Sequence, residues 1–169
     1  SVDSGSTTSS SVNITGLSGG TTYYVVVTAS CSGNSANSVN TTFTTLCTSA
    51  TTGFAQNFNN QAEMPSCWTV VNGGDVNGWT YNTSGNVYIT YGSTAHDDYL
   101  KSPPFTVTDG STDGVSFQAL DHSSLYPETI DVIVEDLTNG TSTIIENDYT
   151  PSSTEFESNF YDLSNYEGS

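Results

Sequence analysis

Three short stretches of this 169-residue chain, and its cysteines, hold residue types capable of chemistry. His96 precedes Asp97 and Asp98, and Asp121-His122-Ser123-Ser124 sets an acid, a base and two hydroxyls side by side. A Ser-His-Asp relay depends on spatial geometry, and neighbours on an extended chain point to opposite faces. Adjacency in sequence therefore gives neither segment a triad. No GxSxG, HExxH, phosphate-loop or GxGxxG pattern occurs. The expectation is a segment without a catalytic centre, its histidines lying on the surface or in loops. The turns "GGDVNG", with Asp75 and Asn77, and "HDD", with Asp97 and Asp98, offer oxygens of the kind calcium takes, roughly six to eight at a time. The first lacks the later ligands and closing Glu of an EF-hand, and both also fit plain solvated turns. Cys31, Cys47 and Cys67 make an odd number of thiols.

These groups must be positioned by β-structure. Ser and Thr make up 53 residues, and Val, Ile, Tyr and Phe are spaced by Gly, Asn and Asp, a composition for short strands joined by turns. An all-β chain follows. The net charge is -17, with Lys101 the single Lys or Arg. Binding nucleic acid needs clustered cations that displace counterions, so that partner is excluded. Anionic membranes are repelled for the same reason. No apolar run is long enough to insert into a membrane. The opening "SVDSGSTTSSS" lacks a charged and then apolar leader, and the expectation is mature or excised extracellular material.

Asp3 is the one carboxylate before Glu63, so composition changes within residues 45 to 62, and "TTLCTSATT" reads as a linker. Ahead of it, Val12 and Ile14 alternate with polar residues as a first strand. "GLSGGTT" turns the chain, and "YYVVVTA" puts Tyr23, Val25, Val27 and Ala29 on one face of a second. The polar "SCSGNSANS" then leads to a third strand in "VNTTFTT", with Val39 and Phe43. "GLSGGTTYYVVVTA" followed by "TTFTT" resembles the second half of a fibronectin type III domain. Leu17 and Tyr23 stand in that family's tyrosine-corner region, and Gly19 stands where the family usually has Pro. The resemblance implies that residues 1–46 are the last strands of a sandwich whose earlier strands are missing, with 47–53 as linker.

Residues 54–169 carry "MPSCW", the acidic turn "NGGDVNGW", and strands in "GWTYN", "NVYITY", "DGVSFQALDH", "ETIDVIVEDL" and "TSTIIEN". The ordered set "NFNN…MPSCW…GW…DDYLKSPPF…VSFQAL…ETIDVIV…YDLSNYEG" resembles the cleaved-adhesin, or choice-of-anchor J, jelly rolls, relatives of MAM domains in secreted proteins of the Bacteroidota. The resemblance implies a β jelly roll that is incomplete at its C-terminus. "DDYLKSPPF" would be a strand entry with Tyr99 and Leu100 turned to the core and Pro103 and Pro104 on an edge. Such jelly rolls often carry structural calcium, although the usual acidic residue of "NFE" is Asn59 here.

In the sandwich so implied, Cys31 ends one strand and Cys47 follows the antiparallel next. The two stand about 26 Å apart at ~3.3 Å per residue, whereas a disulfide needs Cα atoms within about 7 Å. A Cys47–Cys67 disulfide is therefore expected, with Cys31 paired to a cysteine near the missing start of the sandwich; three free thiols are the alternative. Four N-glycosylation sequons begin at Asn13, Asn40, Asn82 and Asn139, and in so Asn- and Thr-rich a chain they are expected by chance. Tyr88, Tyr91, Tyr99 and Tyr126 could join in an aromatic platform, while Trp68 and Trp79 suit a core. Lys101 is expected to pair with Asp97 or Asp98. The whole implies a non-catalytic extracellular adhesion or structural module, secreted or at a cell surface. It would bind a glycan or protein partner, or copies of itself in an assembly. The alternative is an accessory module of a secreted protease or glycoside hydrolase, and a third possibility is a calcium-dependent lectin.

Overall fold

The computed structural model describes residues 5–31, 34–50, 53–58, 64–82, 84–90, 92–94, 97–108 and 113–167, with the backbone alone for 30, 31 and 34–37. The chain is all-β: among the described residues the regular structure is ten strands and one 3-10 turn, Ser164–Tyr166. It divides into two compact units, one ending at Pro104 and the other beginning at Phe105.

The first unit is built on β1 (Thr22–Cys31) and β2 (Asn34–Thr44), an antiparallel hairpin. The run of β-branched and aromatic residues from Thr22 to Thr28 disfavours helix and suits a pleated strand. Opposed residues share a face, so Tyr23 with Phe43, Val25 with Thr41 and Val27 with Val39 make one apolar side. The Tyr23 and Phe43 rings stack with centroids 5.9 Å apart. The entry to β1 is locked from two sides. Ser18 N–H donates to the Tyr23 hydroxyl at 2.8 Å, and the ladder runs on through Gly20 N–H to the Thr45 carbonyl at 3.1 Å.

The rest of this unit is short pairs: β3 (Thr69–Val71) with β6 (Tyr99–Lys101), and β4 (Thr80–Tyr81) with β5 (Val87–Tyr88). Ala50 N–H donates to the Pro104 carbonyl at 3.0 Å, tying the 46–50 segment to the end of the unit.

In the second unit β7 (Gly114–Ala119) pairs with β10 (Glu157–Asp162), while β8 (Ile130–Asp136) and β9 (Thr141–Tyr149) form the hairpin between them in sequence. The β8–β9 turn is closed by Asp136, whose Oδ1 accepts from Thr138 and Asn139 N–H at 2.9 and 3.0 Å. Phe117 stacks on Tyr161 at 5.8 Å and meets Tyr149 edge-on at 6.5 Å. Among the described residues, Val107 and Leu163, both in this unit, are the buried apolar side chains, and Leu163 is fully enclosed.

Two local expectations change. Residues 11–15 form no strand, and Val12 and Ile14 are exposed. Two apolar residues alternating in a Ser-, Thr- and Gly-rich segment bury too little surface to hold an edge position. Tyr99 and Leu100 also do not both face inward. Strand alternation turns Leu100 in and leaves Tyr99 on the same side as Lys101.

Candidate functional site

The carboxylates singled out in the sequence serve the backbone. Asp98 Oδ1 accepts from Gly73 N–H at 2.6 Å, and the Asp98 carbonyl accepts from Trp79 Nε1–H at 3.3 Å. Gly73 lies so close to the Asp97 carbonyl that a side chain there would overlap it. Asp75 Oδ1 accepts from Asn77 N–H at 2.7 Å, and Asn72 Oδ1 from Gly74 N–H at 2.9 Å, two Asx turns in series. The turn 72–79 and the strand entry 97–99 thus form one knot, its peptide N–H groups satisfied by side-chain oxygens.

Calcium was the ion expected at this knot. Two of the oxygens meant for it already accept short hydrogen bonds, and among the described residues no three His, Cys, Asp or Glu stand together as metal ligands.

Asp121 takes a comparable role in the second unit. It is buried; Oδ1 accepts from Ser123 N–H at 3.1 Å and Oδ2 from Glu128 N–H at 3.2 Å. Its own N–H donates to the Ser152 carbonyl at 2.8 Å. Both carboxylate oxygens are turned to peptide groups of the 121–128 loop, and His122 is exposed. Nothing in sequence spacing distinguishes such a loop-organising Asp from a catalytic one. His96, Tyr91 and Asn59 lie outside the described residues.

The Cys47–Cys67 disulfide is present, with Cα atoms 5.7 Å apart. The β1–β2 register explains it. Thr22 lies opposite Thr44 while Cys31 lies opposite Asn34, so Cys31 and Cys47 belong to opposite ends of the hairpin. Trp68, next to Cys67, takes Phe58 edge-on with centroids 4.9 Å apart. Sequence inspection missed the role of Gly20. Its φ is +60°, and a Cβ built on it would stand 2.6 Å from Cys67 Sγ and 3.0 Å from Cys47 Sγ. The disulfide therefore packs into the space that glycine leaves at the entry to β1.

The aromatic residues do not share one role. Trp68 and Trp79 are half-buried, Tyr88 and Tyr99 are partly exposed, and Tyr126 is exposed in the second unit. The Lys101 ammonium lies 5.7 Å from the centre of the Tyr99 ring, a cation–π contact within one strand. Tyr161 has its hydroxyl pKa raised above the ordinary value near 10, first by desolvation and then by the charges of Glu146 and Tyr149.

Among the described residues no helix is long and apolar enough to cross a membrane. No protein-family model, no curated protein and no solved structure matches the chain.

Proposed function

We propose that this chain is a non-catalytic extracellular module of an adhesion or surface-assembly protein. On this reading it is the end of a fibronectin type III-like sandwich stapled to a jelly roll of cleaved-adhesin type. The observation that carries the reading is the Cys47–Cys67 disulfide in an acidic all-β chain whose described residues include few buried apolar side chains. Such staples persist in oxidising compartments and serve domains whose cores are small. The Tyr23 hydroxyl bonded back to Ser18 N–H supports the sandwich part, since a tyrosine before a late strand bonds its upstream backbone in that way. The engagement of Asp75, Asp98 and Asp121 by backbone N–H groups supports a role in architecture over one in catalysis.

The runner-up, an accessory module of a secreted hydrolase, has the same fold and setting. One experiment separates them: excision of these residues from the natural protein, followed by cell-attachment and polymer-hydrolysis assays. Lost attachment with hydrolysis intact supports the adhesion reading. Lost hydrolysis with attachment intact refutes it in favour of the accessory module.

A further inference from the structure

We infer that Asn77-Gly78 is a self-modifying site, where the folded chain converts the Asn77 amide to aspartate and isoaspartate with water as co-reactant. The Gly78 peptide nitrogen, its proton taken by solvent hydroxide, attacks Asn77 Cγ. The new N–Cγ bond closes a succinimide ring, and the Cγ–Nδ2 bond breaks as ammonia leaves with a proton. Water then opens the ring at either carbonyl. One opening gives aspartate. The other gives isoaspartate, whose main chain runs through the side-chain carbons, and nothing is oxidised or reduced.

Glycine, having no Cβ, is the following residue that least obstructs this attack. The chain has three Asn-Gly pairs, beginning at Asn72, Asn77 and Asn139, and the structure treats them differently. At two of them both reacting groups are held. Gly73 N–H donates to Asp98 Oδ1 at 2.6 Å, while Asn72 Oδ1 accepts from Gly74 N–H at 2.9 Å. Gly140 N–H donates to the Asp136 carbonyl at 2.8 Å, and Asn139 Nδ2 donates to Asp136 Oδ2 at 2.6 Å. At the third pair, neither the Asn77 side chain nor Gly78 N–H has a hydrogen-bond partner among the described residues. Asn77 is tied down by its own N–H, which donates to Asp75 Oδ1 at 2.7 Å and leaves the side-chain amide free. The glycine is also hard to replace. A Cβ at position 78 would stand 2.9 Å from Asn72 Nδ2, so a residue that hinders the attack crowds the Asn72 amide.

The product acts on the knot that joins the 72–79 turn to the entry of β6. Either product sets a new carboxylate two residues from Asp75. Isoaspartate also lengthens the main chain by one carbon just before Gly78 and Trp79. Trp79 Nε1–H donates to the Asp98 carbonyl at 3.3 Å, and Asp98 in turn holds Gly73. A longer backbone between Asn77 and Trp79 loosens that link, so the knot weakens with age. The inference holds whether the module serves adhesion or an enzyme.

The test is incubation of the full chain in mildly alkaline water enriched in heavy oxygen, folded and in urea, followed by peptide mapping. In the folded chain, label at residue 77 should exceed that at residues 72 and 139 by about tenfold, the factor by which first breaking a net hydrogen bond slows a step. In urea the three sites should label alike. Equal labelling in the folded chain, or an unlabelled residue 77 while the urea sample reacts, overturns the inference. An excess at residue 77 that persists in urea assigns the selectivity to local sequence and overturns the structural argument. Asn77→Gln keeps the N–H that Asp75 holds, and it should lose the label without a change in Tm. A protease that cuts after basic residues should cleave at Lys101 faster in aged parent chain than in fresh, and equally in aged and fresh Asn77→Gln. Equal rates in aged and fresh parent chain refute the loosening.

Discussion

Replacing Gly20 by Ala tests whether the disulfide and the β1 entry form one packed unit. Two costs are expected, and they separate. The first is local: φ is +60° at this position, and a left-handed conformation disfavours an L side chain by about 1 kcal/mol. The second depends on the sulfurs. A Cβ at 2.6 Å from Cys67 Sγ and 3.0 Å from Cys47 Sγ is well inside the ~3.5–4 Å of ordinary contact. One sulfur or the 19–21 backbone must move by about 1 Å, and overpacking of that kind costs about 1–3 kcal/mol. Gly20→Ala should therefore destabilise the oxidised chain by about 2–4 kcal/mol, and the Cys47→Ala/Cys67→Ala chain by about 1 kcal/mol. The disulfide removed in that background closes a 20-residue separation, so its own loss costs about 3 kcal/mol. Urea titration followed by tryptophan fluorescence measures all four corners of the cycle. Trp68 and Trp79 both lie in the first unit, so the signal reports that unit. If the two perturbations add to within about 0.5 kcal/mol, the sulfurs do not occupy the space Gly20 leaves and the packing argument fails.

Asp98→Ala removes the acceptor of Gly73 N–H and should cost about 1–3 kcal/mol in the same titration, while added EDTA leaves the parent's Tm unchanged. A Tm lowered by chelation would restore a metal to the 72–79 and 97–99 knot. Asp121→Ala leaves two loop N–H groups without their carboxylate and should cost about 2–3 kcal/mol, whereas His122→Ala at the exposed neighbour should be nearly silent; equal effects would contradict the loop-organising role. For Tyr161 the folded pKa is raised, so the folded state keeps its proton when the unfolded state begins to lose it near pH 10. Stability from this group is present below that pH and falls as pH rises further. Tyr161→Phe should flatten the stability profile above about pH 10, and a profile with the same slope in both chains would contradict the assignment.

The parts of the fold readable from sequence were those where alternation was strong and long. "YYVVVTA" and "VNTTFTT" lie in β1 and β2, and "VSFQA", "IDVIVED" and "TSTIIEN" lie in β7, β8 and β9. The polar "SCSGNSANS" hid the true length of the hairpin, because backbone pairing continues through residues whose side chains carry no pattern. β10 escaped notice for a related reason: "ESNFYD" has two apolar residues in succession, and its position is set by pairing with β7. Val12 and Ile14 showed the reverse, a pattern without a neighbouring strand to complete it.

At the candidate site, residue types were legible and roles were not. Asp75 and Asp98 were named as oxygen donors, and they do offer oxygens, but to peptide N–H groups brought up by the turn. Gly20 could not be recognised at all, since its role comes from the two sulfurs packed against it.

Lys101 has a practical consequence for finding this protein in nature. As the chain's single Lys or Arg, it is the only place where a protease that cuts after basic residues can act. Its peptide bond follows a strand paired to Thr69–Val71, and two prolines come soon after, so even that cut requires β6 to come away from β3. Complete digestion of these residues would leave two pieces, 1–101 and 102–169, both far larger than the peptides that tryptic surveys routinely collect. These residues therefore stay out of a tryptic survey, however abundant the protein that carries them, until an acidic-residue-specific or aromatic-specific protease is used.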